Sequence, residues 1–264
     1  MYAQPLPPNT ERARWASGLL MVNLVIYAAL TARDVFKLSA DSFYYSNFGF
    51  IQASELFIEI ANLVLLIVTS VFFIMWFRRA YNNLFKAGAR FLPYKEGWAA
   101  GGWFVPIVQY FYPYRIMNAI WTETPVALRK VGEHYERPAG TVVGTWWTFW
   151  TIGKIISTIE GQLVYRGAIG LYSTGTTVMD FISDGCLLLA AIFAIRMIKA
   201  YSTMEEEMHN RYNEWLAYQT QMHAQQFQQQ GFAPHNLAPT PPPANFNPPP
   251  PSDFAAPKEP DSRL

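Results

Sequence analysis

Four apolar segments, at about 15–36, 56–77, 142–164 and 177–198, constrain this chain more than any other feature. Each is close to 20 residues long, the length a helix needs to cross a hydrocarbon core of about 30 Å. Inside a bilayer only helices and closed barrels satisfy their own backbone hydrogen bonds. These runs show no strict alternation, so they read as helices. The expected fold is all-α: an integral membrane four-helix bundle.

Only 15% of the residues are charged, so the positions of the charges carry the topology. Nine Lys and Arg lie between Arg78 and Arg137, in the connection between the second and third segments. Arg166 alone lies between the third and fourth. Basic loops stay on the cytoplasmic side, which places this connection and both termini in the cytoplasm. Arg12 and Arg14 before the first segment, and Leu30-Thr31-Ala32 near its end, also resemble a cleavable leader. The apolar run is long for a leader core, so an anchored first span is preferred.

The connection at 97–121 is too broken by Gly101, Gly102, Pro106 and Pro113 to span simply, and too aromatic to lie free in water. A fifth span there would separate two basic groups that prefer the same side. It reads as an interfacial or re-entrant helix, with Phe104, Ile107, Val108, Phe111, Ile116 and Ile120 near one face. Eight of the nine tryptophans fall in the cytoplasmic half of this topology. Indole prefers the headgroup level, so they form an interfacial belt or line a groove for a lipid or peptide.

Outside the spans, residues 1–14 read as a short disordered lead. Residues 202–230 are polar and helix-permissive, extending the fourth helix. The Gln run ends at Gln230, and residues 231–264 are Pro-rich and cannot bury enough surface to fold. That tail is a spacer, or a ligand for a cytoplasmic partner.

Ionisable groups inside membrane segments are functional candidates. Glu59, Glu160, Asp180 and Asp184 gather toward the outer side, and Lys154 lies near mid-membrane. By depth, Glu160 and Asp184 are the partners expected for Lys154. Gly153, Ser157 and Gly161 recur every four residues, a seam that lets helix backbones approach. The readings for this intramembrane polar network are an ion-pair set that fixes helix register, an ion or solute pathway, and a carboxylate cation site. The four histidines, at 134, 209, 223 and 235, lie outside the spans without ligand spacing, so no metal is expected. No nucleophile, zinc or phosphate-loop motif occurs, so no enzyme activity and no cofactor are expected. The basic connection is explained by topology, so no nucleic-acid partner is expected. The lone Cys186 excludes an intramolecular disulfide.

The stretch Trp76, Arg79, Ala80, Tyr81, Asn83, Leu84, then Gly88, then Gly97, Trp98, Ala99, Gly101, Trp103, Phe104, Pro106 and Ile107, with Pro113, Met117 and Trp121, forms a distinctive pattern. It resembles a bacterial membrane family of unknown function, the domain-of-unknown-function family four-three-two-eight. The likeness covers roughly 15–201. It implies a polytopic bacterial membrane protein, here expected in the inner membrane, and carries no reaction, substrate or catalytic residue. Physically, Trp76, Arg79, Asn83, Trp103, Phe104, Pro106 and Pro113 read as a cytoplasmic latch. Arg79 suits helix-end carbonyls or lipid phosphate. Asn83 is expected to bond backbone freed near Pro106.

The function expected from these features is a non-enzymatic organiser or regulator of a membrane complex. Its contacts would be the lipid bilayer and a membrane-protein partner or a second copy. The alternative is a small ion or solute transporter or channel component using the outer carboxylates.

Overall fold

The computed structural model describes residues 5–39, 48–130, 140–170 and 173–229. The proline-rich tail, His134, Arg137 and the loop tyrosines Tyr44 and Tyr45 lie outside these residues, as does the side chain of Glu55.

The described regular structure is helical throughout: α1 (Thr10–Ser39), α2 (Phe48–Lys86), α3 (Trp98–Gly101), a 3-10 turn (Val108–Tyr110), α4 (Tyr112–Lys130), α5 (Thr141–Tyr165) and α6 (Thr174–Gln229). Three helices are long and apolar enough to cross a membrane, within Thr10–Ser39, Leu56–Lys86 and Thr174–Gln226. The expected fourth, α5, has 25 residues and reaches about 37 Å at 1.5 Å per residue. It is not among those three: Lys154 and Glu160 interrupt its apolar run, and Trp146, Trp147 and Trp150 are amphipathic rings suited to a membrane boundary.

Neighbouring helices run antiparallel. Trp15 meets Phe72 and Asn23 donates to Thr69 between α1 and α2. Phe149 stacks on Phe193 and Ser183 donates to the Gly153 carbonyl between α5 and α6. α1 also packs along α6, so the helices follow the ring α2–α1–α6–α5. The ring is weakest between α2 and α5, where Phe73 faces Trp146 at one end.

The fully buried large side chains concentrate at that same end, here called basal. Trp76, Phe77, Tyr81 and Leu84 of α2 join Ile116, Met117, Ile120 and Trp121 of α4. Met197, Tyr201, Met204 and Met208 of α6 complete the cluster. Further along α2, Leu63, Val64, Ile67 and Val71 are exposed, the expected state of side chains that face lipid. The protein therefore has a dense basal core and a thin-walled apolar shaft.

α6 is one helix of 56 residues, about 84 Å long. Only its first part, near 177–198, is apolar. The expected polar extension from 202 begins inside the basal core, where Met204, Met208, Tyr212 and Trp215 are buried, and continues to Gln229.

The lead before α1 is a placed strap, where a disordered one was expected. Helix α1 starts at Thr10, and Leu6 and Asn9 are buried. The Leu6 backbone N–H donates to Asn213 Oδ1 at 2.8 Å, and Asn213 Nδ2 donates back to the Leu6 carbonyl at 3.2 Å. The short Pro-flanked stretch gives no periodic signal, because its order comes from α6, more than 200 residues away. Replacing Leu6 with Asp should lower stability by about 2–3 kcal/mol through lost burial. The check is a thermal melt in detergent, with proteolysis at the amino terminus accelerated in parallel.

The connection also differs from expectation. It forms no single helix over 97–121: α3 ends at Gly101, the chain turns, and α4 begins at Tyr112 and continues to Lys130. Ile107 has φ 68°, a left-handed conformation that is strained for a β-branched residue. This break divides the expected apolar face. Ile116 and Ile120 are buried in the basal core, whereas Phe104, Ile107 and Phe111 stand exposed.

Candidate functional site: an intramembrane crevice and its basal latch

The weak α2–α5 seam holds a cavity of about 300 Å³. All four long helices contribute walls, and the α3–α4 connection forms its roof through Trp103, Phe104 and Gln109. The volume lies at the lower end of the small-molecule range. Leu66 and Ser70 on α2, and Phe104 in the roof, are exposed and line it, so the cavity opens sideways between α2 and α5.

Trp103 is the keystone of the roof. Its ring makes edge contacts with Phe73 at 5.6 Å and Phe77 at 5.7 Å on α2, and with Trp147 at 6.2 Å and Trp150 at 5.8 Å on α5. It thus ties together two helices that otherwise barely meet. Gly102 makes the tie possible, because a Cβ there would fall 2.8 Å from the Trp98 carbonyl and 3.2 Å from Tyr112 Cβ. Of the expected latch residues, Pro113 is buried, while Pro106 and Phe104 are exposed.

Lys154 lines the cavity. The expected ion pair with Glu160 or Asp184 is not formed. Among the described residues, no carboxylate lies within ion-pair distance of Lys154. The reason is angular. Six residues at 100° each put Glu160 about 240° around α5 from Lys154. Depth in the membrane fixes a side chain's height, not its azimuth.

The carboxylates gather instead at the distal end. The Glu160 and Asp180 carboxyls lie close enough to interact directly. Asp184 lies within electrostatic reach of Asp180 and Asp34. Asp34 is fully buried and accepts from Arg33 at 2.9 Å, and Arg33 also meets Glu59 at 3.5 Å. The structure therefore brings Glu160, Asp180 and Asp184 together, with Glu59 at the rim, and leaves Lys154 apart.

Of the expected packing seam only Gly153 makes a close contact within the chain. A Cβ there would sit 3.1 Å from Leu187 Cγ and 3.2 Å from the Ser183 carbonyl. Ser157 is exposed, and a Cβ on Gly161 would meet nothing within 4 Å. Gly153→Leu should cost about 1–3 kcal/mol by overpacking the α5–α6 contact. Gly161→Ala should be neutral or stabilising by up to about 1 kcal/mol, because alanine is the better helix former. Thermal melts of the two variants side by side provide the check.

The basal latch contains a group that the sequence reading passed over. Glu205 is buried in α6 with Asn9 of the strap and Asn83 of α2. Asn9 Nδ2 donates to Glu205 Oε2 at 2.9 Å and Oε1 at 3.1 Å, and to the Trp76 carbonyl at 3.2 Å. Asn83 Nδ2 donates to Glu205 Oε1 at 2.9 Å and to the Pro7 carbonyl at 3.2 Å. The expected bond from Asn83 to backbone near Pro106 is therefore replaced by a three-way clamp on the strap. Burial pushes the Glu205 carboxyl up to about 7, against the opposing pull of the two amides and of the Arg79 charge. Arg79 faces this cluster electrostatically and also feels Arg12.

Residues 44–203 match the family model described as a domain of unknown function, DUF4328. No curated protein matches the chain significantly. No solved structure does so either.

Proposed function

The chain belongs to this family of unknown function, and we propose that it is a non-enzymatic organiser or regulator of a membrane complex. It would sit as a multi-pass protein in the bacterial inner membrane, basal end and both termini cytoplasmic. The observation that carries this reading is the continuity of α6. One helix walls the crevice through Leu187, Ala190, Ala191 and Ala194, and then carries the Glu205 clamp and the polar extension. A binding event at the seam therefore acts on the same rigid element that presents the basal surface. The exposed apolar face of α2 supplies area for a membrane-protein partner or a second copy.

The test is purification in mild detergent of the intact chain and of one stopped after Gln230. A stop near Tyr201 would remove Met204, Glu205 and Met208 from the basal core and so confuse folding with binding. The expected result is a companion protein at fixed stoichiometry. Loss with the shorter chain assigns the contact to the proline-rich tail; retention assigns it to the bundle.

The alternative, a small ion or solute transporter component, draws on the distal Glu160, Asp180 and Asp184 cluster. A chain that purifies without a companion, yet moves ions or solute in vesicles, overturns the organiser reading. That flux should vanish in Glu160→Gln and Asp184→Asn while protein level is kept.

A further inference from the structure

We infer that the α2–α5 crevice binds a long-chain carboxylic acid drawn from the bilayer, head toward Lys154 and chain toward the aromatic roof. The inference rests on reading the crevice as a binding site, and it needs no protein partner.

Three observations carry it. The first is charge. Lys154 stands 13 residues into α5, about 20 Å from its basal end, on the wall of an apolar cavity and without a carboxylate among the described residues. A cation at such depth costs several kcal/mol unless it is paired. An anionic head would complete a site that the chain leaves half made. The second is polar placement. Asn23 and Tyr27 of α1 share this wall, both deeply buried, and Asn23 Oδ1 accepts no hydrogen bond. An acid in its protonated form can donate there, and in its ionised form can accept from Lys154. The third is shape. Phe73, Trp103, Trp146, Trp150, Ala190 and Ala194 bound the basal part of the cavity, where flat rings and small alanines leave a slot for an alkyl chain.

Depth selects the carboxylic acid over a phospholipid. A phosphate diester keeps its charge wherever it goes. A carboxylic acid has an ordinary pKa near 4–5 and becomes neutral in apolar surroundings, so it can reach Lys154 through the bilayer. Width selects it over a partner helix, because about 300 Å³ cannot take a turn of helix some 10 Å across.

The experiment uses the full chain in detergent micelles and reads quenching of tryptophan fluorescence by 9,10-dibromostearic acid. Trp103, Trp146 and Trp150 line the cavity and report occupancy. The expected result is saturable quenching, at least tenfold tighter for the acid than for its methyl ester. Lys154→Arg should keep that preference, Lys154→Met should erase it, and Ser70→Tyr, at the exposed mouth, should weaken acid binding with Lys154 intact. Should Lys154→Met fail to fold, the Lys154→Arg and Ser70→Tyr pair decides the question. Equal, unsaturable quenching by acid and ester overturns the inference and leaves ordinary lipid contact. Tighter saturable quenching by dibrominated phosphatidylglycerol overturns it in favour of a phospholipid. Displacement of the acid by a leucine-rich spanning peptide with one central Glu, at lower concentration than by stearic acid, overturns it in favour of a partner helix. A companion protein that co-purifies without any acid preference defeats this inference alone.

Discussion

Glu205→Gln should melt higher than the wild-type chain at pH 8 and should lose the wild-type dependence on pH. The Glu205 carboxyl is raised by burial to about 7, above its ordinary value of 4.5. The folded chain therefore holds a proton that the unfolded chain releases between those values. Its stabilising contribution is complete below pH 4.5, declines as pH rises, and is gone above about 7. The span corresponds to at most about 3 kcal/mol. Glutamine keeps the shape without the charge, accepts from the Asn9 and Asn83 amides, and can donate to their buried Oδ1 atoms, which have no donor. Its melting should be flat from pH 5 to 8. Asn83→Leu should behave in the opposite way. It strips a donor from both Glu205 and the Pro7 carbonyl, costing about 2–4 kcal/mol, most severely above pH 7. Melts of the three proteins across that pH range check the assignment. A wild-type curve without slope would remove Glu205 from this role.

The same cluster shows where sequence reading stops. The apolar spans were legible because a bilayer imposes length and polarity on each segment independently. The grouping of Trp76, Arg79 and Asn83 stood out in the sequence, but their partners did not. Asn83 bonds to residues 76 and 122 positions away, and no local pattern encodes that. Glu205 opens the run Glu205-Glu206-Glu207, which reads as a solvated helix face. Only one of the three turns inward, and which one depends on the angular register of α6 against α1 and α2. Lys154 failed for the related reason that helix depth was used where azimuth decides. The distal carboxylates, all near helix ends, tolerate such angular error, and Glu160, Asp180 and Asp184 do meet. The roof was legible as an aromatic segment distinct from the spans. Its break at Ile107 was not, because a positive φ is unfavourable for a β-branched residue and nothing in the local sequence announces it.

Trp103→Ala should have the largest effect of any single change in the roof. Removing a packed tryptophan costs about 3–5 kcal/mol, and here the ring also bridges α2 and α5. Beyond Phe73 against Trp146 these helices touch little, so little nearby replaces the tie. The seam should then widen, and α2, whose exposed face makes few contacts within the chain, should move outward from α1. Spin labels on Ser70→Cys and Ile152→Cys, both exposed and on facing helices, would read this in a Cys186→Ser background. The expected change is a longer and broader distance distribution in Trp103→Ala, with Trp103→Phe close to wild type because a single ring still reaches both walls. Loss of stability with an unchanged distribution would mean that the ring fills space without holding the helices together. A widened seam would show that Trp103 joins the basal core mechanically to the membrane shaft. Occupancy of the crevice could then be felt at the clamp through two routes: α6, which runs directly from the cavity wall to Glu205, and the α2 segment from Phe73 to Asn83.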